Sequence, residues 1–201
     1  MEQLGKPKSQ YYDYIDNKQC DIQSIIHCIN LQGKDLVGVE VGVFFAKSFC
    51  TLLQNCPNIK LLYGIDRYEP YTDYLIENYD MKNVDAIYDE KQIESIKLSA
   101  YHSIKFSGHK DKAKIIEEDH IEASKKFDNE SLDFVFVDNY TNHKEIIDSL
   151  ETWYPKVKKG GLFAGHDTHL NVVKLGIAEF RERNKIDNPI SFFDKTFIWR
   201  K

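Results

Sequence analysis

The sequence predicts an α/β protein built on a doubly wound sheet, and three observations carry that expectation. Five short apolar runs recur along the chain, each is almost continuously apolar, and helical or polar stretches separate them. Strands of a parallel sheet are covered on both faces, so they lack the in-out alternation of half-exposed strands. Parallel neighbours also need a crossover between them, usually a helix.

The runs are DLVGVEV (35–41), KLLYGI (60–65), KAKIIE (112–117), LDFVFV (132–137) and GLFAG (161–165). AKSFCTLLQNC supplies the crossover between the first two. HKEIIDSLETWYPKV joins the fourth and fifth, with Ile146, Ile147, Leu150 and Trp153 on one helical face. Pro155 and then Gly160-Gly161 end that helix. Residues 11–31 read as a leading helix with Ile22, Ile25, Ile26 and Ile29 as its stripe. After a helix near 171–184, PISFFDKTFIWRK reads as an antiparallel hairpin closing the sheet. Residues 68–106 hold six tyrosines and are too long for a plain crossover. Part of that stretch is expected to be an inserted helix or a lid over the C-terminal edge of the sheet. Its Tyr68, Tyr71 and Tyr74 either stack on a sugar ring or pack a helix on the sheet. The 201 residues suit a single domain spanning 1–201, with 1–31 as a helical extension.

Composition narrows the function classes. With 42% apolar and 29% charged residues the chain is ordinarily globular. Its net charge of -5 disfavours a nucleic-acid backbone or an anionic membrane as partner. No run approaches the roughly 18 apolar residues of a membrane span, and no apolar leader opens the chain. Cys20, Cys28, Cys50 and Cys56 form no C-x-x-C pair and read as reduced thiols. The expectation is a cytoplasmic chain acting on a small molecule, with the leading helix as a candidate homodimer interface.

Glu40 is the residue that first points to a ligand. It stands inside VGVEVG, where a buried carboxylate is costly unless something pairs with it. Gly42 follows, where the backbone can approach a ligand closely, and the next helix N-terminus offers free N–H groups. Asp66 ends the second run, twenty-four residues after Gly42, where an acid can accept both hydroxyls of a ribose. The fingerprint G-x-G-x-x-G is absent, which disfavours a dinucleotide. Asp119-His120, Asp138-Asn139 and Gly165-His166-Asp167 lie at the ends of the later strands, where open α/β sheets bind ligands. An acid beside a single glycine, followed by a ribose acid, suits a cationic nucleoside.

VGVEVGVFFAKSF, LYGIDRY, SLDFVFVDN and YPKVKKGGLFAGHD resemble the successive motifs of class I S-adenosylmethionine-dependent methyltransferases. The nearest branch contains the macrocin and rhamnosyl O-methyltransferases and the cephalosporin hydroxylase-like subunit. The resemblance spans residues 35–200. It implies a Rossmann-like, seven-stranded sheet, mostly parallel, ending in a reversed hairpin, and a small-molecule methyl acceptor. It implies that Glu40 and Gly42 meet the methionine end of the cofactor, within a loop that includes Phe44. Asp66, with Arg67 beside it, would hold the ribose; Asp119 and His120 would lie near the adenine, and Asp138 would border the cofactor. Ala46 stands where a third small residue, usually glycine, is expected. The branch carries Asp-x-x-His after the fourth strand. Here Thr141 has that spacing and the histidine comes two residues later, as His143, a weaker catalytic candidate.

Related metal-dependent O-methyltransferases hold a divalent ion at positions matched by Asp138, His166 and Asp167. Two carboxylates suit a hard cation such as magnesium, whereas the imidazole favours manganese, iron or zinc. The alternative is that His166 is the general base without a metal. The expected activity is O-methylation of a small hydroxylated acceptor, a sugar or natural product. The competing expectation is a cofactor-binding subunit without catalysis.

Overall fold

The computed structural model describes residues 21–70, 88–139 and 142–201. Helix α1 (Gln23–Asn30) leads into β1 (Leu36–Val41), α2 (Lys47–Asn55) and β2 (Ile59–Ile65). Then come α3 (Glu90–Phe106), β3 (Ala113–Ile116), α4 (His120–Ser124) and β4 (Leu132–Val137). The chain ends with α5 (His143–Trp153), β5 (Val157–Gly165), α6 (Asn171–Arg183), β6 (Ile190–Phe193) and β7 (Thr196–Arg200). The seven strands form one sheet in the order β3-β2-β1-β4-β5-β7-β6. β1 to β5 pair in parallel, and β7 runs antiparallel to both β5 and β6. The α/β class, the parallel core and the terminal hairpin are therefore those expected from the sequence.

The continuous apolar runs of the central strands have the predicted cause: β1, β4 and the second half of β5 bury both faces, whereas the edge strand β3 is only half-buried. On one face Leu36, Leu62, Phe134, Phe136 and Leu162 meet Ile25, Ile29, Phe49, Leu52 and Ile104 from α1, α2 and α3. On the other, Val39, Val41, Val135, Val137 and Phe163 meet Ile146, Leu150, Trp153, Val173 and Phe180 from α5 and α6. The period-two split of β1 and β4 between the two cores is what a strand must do. All four isoleucines of the α1 stripe are buried, as is the α5 stripe.

Three boundaries differ from the sequence reading. α1 spans only Gln23–Asn30, and the remainder of the expected leading helix, with Cys20, falls largely outside the described residues. Within 68–106, the described helix α3 serves as the β2–β3 crossover; Asp89 caps it with a reciprocal bond to Gln92. Tyr71 and Tyr74 lie outside the described residues. β5 begins at Val157, four residues early, because Lys158–Gly161 form an irregularity in the pairing with β4 rather than a free turn. There Lys158 Nζ lies 2.6 Å from Asp133 Oδ1, and Gly160 N–H donates to Lys201 O. Among the described residues no helix is long and apolar enough to cross a membrane.

Candidate active site

The winding direction reverses between β1 and β4, and the carboxyl ends of these strands open a crevice there. Gly42 turns the chain out of β1 at φ +90, with its N–H bonded to Ile65 O. A Cβ at this position would sit 2.3 Å from the Asp138 carbonyl oxygen, so backbone alone fits between β1 and β4. The resulting cleft has about 440 Å³ of space, part of it open to solvent, and is lined by Gly42, Asp66, Arg67, Asp119, His120 and Glu145 among others.

Glu40, two residues before Gly42 in β1, is wholly buried. Ser48 Oγ, in the first turn of α2, donates to its Oε1 at 2.5 Å, while Oε2 has no partner among the described residues. Burial pushes the Glu40 carboxyl well above the ordinary range; the Ser48 bond opposes this, and the nearby charges of Asp138 and Asp66 add to it. A buried carboxyl oxygen with nothing to accept from is what an incoming cationic donor would satisfy.

Asp66 ends β2 as expected, but its carboxylate is already engaged. Oδ2 accepts from Val43 N–H at 3.0 Å and Phe44 N–H at 2.8 Å; Oδ1 accepts from Tyr68 N–H at 2.9 Å. The expected helix-terminus N–H groups are accordingly not at hand beside Gly42: α2 begins only at Lys47, and the nearest loop N–H groups are bonded to Asp66. Phe44 contributes this N–H, while its ring meets Phe45 and Tyr88. Asp119 caps α4 by accepting from Ile121 N–H, which turns His120 toward the cleft wall. The His120 Nδ1 is buried without a partner among the described residues, and burial lowers its pKa.

At the ends of β4 and β5, Asp138, His166 and Asp167 bring one ligating atom each within 4.8 Å of one another. His166 Nδ1 lies 2.9 Å from Asp167 Oδ1 and 3.6 Å from Asp138 Oδ1. Burial pushes Asp138 up to about 7; the charge on His166 opposes that rise and Asp167 reinforces it. His166 is held above its ordinary value: burial works against its charge, but the Asp167 bond and both carboxylates outweigh it. Asp167 is lowered, because the His166 bond overcomes its own burial.

The structure thus gathers Gly42, Asp66, Arg67, Asp119 and His120 at one cleft, buries Glu40 two residues before Gly42, and groups Asp138 with His166 and Asp167. It does not bring His143 to that group. His143 opens α5, and its Nε2 faces Glu179 of α6 at 3.1 Å. Thr141 lies outside the described residues. Sequence reasoning missed Ser48, Glu118 and Glu145. Ser48 follows Glu40 by eight residues across a loop, a separation no periodicity flags, and Glu145 lines the cleft only because α5 folds back over β4.

Solved structures share this fold at low identity. The O-methyltransferase NovP superposes with TM-score 0.65 at 17% identity, covering 90% of this chain and 78% of its own. Precorrin 8w decarboxylase of Methanobacterium thermoautotrophicum gives 0.62 at 17%, covering 92% and 91%. Precorrin-6y C5,15-methyltransferase of Geobacter metallireducens gives 0.61 at 13%, covering 93% and 90%. No curated protein matches the sequence. A family model described as a methyltransferase domain matches residues 39–168, which run from β1 past the Asp138–His166–Asp167 group, and the chain belongs to that family of methyl-transferring enzymes.

Proposed function

We propose that the protein transfers a methyl group from S-adenosylmethionine to a hydroxyl oxygen of a small acceptor, a sugar or a natural product. The observation that carries the cofactor assignment is the unpartnered, fully buried Oε2 of Glu40, two residues before the Gly42 bend. An ammonium with three donors satisfies it, and the amino-acid end of S-adenosylmethionine carries one. The cleft beyond, with Asp66, Asp119 and His120, supports the nucleoside end. Asp66 retains one open acceptor position on Oδ1 beside its three backbone bonds, which favours a single ribose hydroxyl there over a paired diol.

The cofactor supplies an already activated methyl on a sulfonium, so the protein's task is to align the acceptor oxygen and manage its proton. The cluster at the ends of β4 and β5 supports an oxygen acceptor. With Nδ1–H donating to Asp167, the His166 Nε2 lone pair is left to take the hydroxyl proton, and Asp167 stabilises the imidazolium that results. Asp138, His166 and Asp167 are also the residues that would hold a divalent cation, magnesium or manganese. Such an ion, when bound, lowers the pKa of a coordinated hydroxyl.

The test is transfer of labelled methyl from S-adenosylmethionine to a panel of glycosides and phenols, with and without EDTA. Label is expected in at least one hydroxylated acceptor. Cofactor binding with no transfer to any of them would count against the catalytic reading. Full turnover in EDTA would assign the proton to His166, whereas loss restored by manganese would assign the cation to the Asp138 group.

A further inference from the structure

We infer that Tyr68 is a positioning residue for the cofactor: together with Asp66 it clamps the β1–α2 loop in a left-handed shape that the sequence does not otherwise favour. This rests on the cofactor reading above and names what prepares that site to receive its ligand. The loop runs from Gly42 to Ala46, and beyond Gly42 it must turn twice through the left-handed region without a glycine. Phe44 has φ +49 and Ala46, the residue capping α2, has φ +60. A side chain makes that conformation unfavourable, most for a bulky residue such as phenylalanine. Such geometry persists only where the surroundings hold it.

The hydrogen bonds that hold Val43 and Phe44 come from one neighbouring segment, while the Phe44 ring also meets Tyr88 and Ala46 N–H donates to Val43 O within the loop. Asp66 fixes the loop from one side by accepting from Val43 and Phe44 N–H. Tyr68, two residues on, donates its hydroxyl to Phe44 O at 3.0 Å and its own N–H to Asp66 Oδ1 at 2.9 Å. Both polar groups of the Phe44 peptide backbone are thus held, the N–H by Asp66 and the C=O by Tyr68. Tyr68 itself has φ +47, and its ring packs against the core that contains Val43, Ala46 and Phe49. The ring is thus seated on the same core as the loop's own Val43 and Ala46, with Phe49 of α2 beside them. Burial and the nearby Asp66 charge raise the pKa of its hydroxyl, so it remains a donor at neutral pH. Loosening this grip frees Val43 and Phe44, the residues that directly follow the cleft-lining Gly42.

The experiment uses the full chain and Tyr68→Phe, which keeps the ring and removes the hydroxyl. Two quantities are read: calorimetric Kd for S-adenosylhomocysteine, and amide exchange at Val43 and Phe44 in the ligand-free chain. Tyr68→Phe should weaken binding by roughly three- to tenfold, the loss expected for one neutral hydrogen bond. Exchange at those two amides should speed up by a similar factor while the thermal midpoint stays near wild type. A merely structural tyrosine would move the midpoint instead. The decisive control is Phe44→Gly, which enters φ +49 without strain. In that background Tyr68→Phe should cost less than twofold. Equal cost in both backgrounds, or unchanged exchange at Val43 and Phe44, overturns the clamp. A wild-type chain that takes up no S-adenosylhomocysteine overturns the cofactor reading, while the exchange rates still decide whether the clamp exists.

Discussion

Glu40 was legible in the sequence because a carboxylate inside VGVEV has a large desolvation cost that only a partner offsets. Asp66 and Asp138 were legible for a related reason, as acids at the ends of apolar runs. Ser48 and Tyr68 were not, since their roles depend on how a loop curls rather than on spacing. The same residues carry a pH signature. The Asp138 carboxyl has a folded pKa of about 7 against an ordinary 3.8, so the folded state binds the extra proton between those values. Stability then rises as pH falls through that window, with Glu40 and His166 acting in the same direction, while Asp167, lowered from 3.8, opposes only below that value. In EDTA, Asp138→Asn should flatten the gain in thermal midpoint between pH 7.5 and 5 by about 2–4 °C, the equivalent of roughly 1 kcal/mol. A gradient identical to wild type would place the titrating group elsewhere. His166, as general base, must be neutral to act, so turnover without added metal should climb as pH rises through its elevated pKa. A rate independent of pH between 6 and 8.5 would remove it from that role.

At the scale of elements, the strands followed from uninterrupted apolar runs, and α1 and the crossover helix α5 from their apolar stripes. The five-residue α4 was not foreseeable, being too short to display a helical period. Nor was the early start of β5: KKGG reads as a turn locally, but Asp133 and the backbone of Lys201 draw it into the sheet. Two glycines with positive φ separate backbone strain from crowding. Gly42→Ala meets both, since its Cβ would strike the Asp138 carbonyl; Gly160→Ala at φ +78 meets open space. Gly42→Ala should abolish cofactor binding and lower stability by about 2 kcal/mol or more, whereas Gly160→Ala should cost about 1 kcal/mol and bind normally. Normal binding by Gly42→Ala, read by calorimetry, would mean the β1–β4 junction is not where the ligand lies.

For the molecule as a whole, two apolar cores sandwich one sheet, and the acids that neither core can tolerate collect along the sheet's carboxyl edge. That division explains why fold class could be read almost complete from the sequence while the site could be read only in outline. Burial on both faces leaves a mark in the central strands, but a crevice draws one or two residues from each of several distant segments. The account's central claim is that this edge grips a cationic nucleoside through Glu40. Calorimetry with S-adenosylmethionine, comparing the wild-type chain with Glu40→Gln, tests it most directly. Binding is expected for the wild type, with at least a tenfold loss in Glu40→Gln, about 1.4 kcal/mol, because a charge-assisted bond becomes a neutral one. Absence of binding to the wild type, or equal affinity in the two proteins, would contradict it.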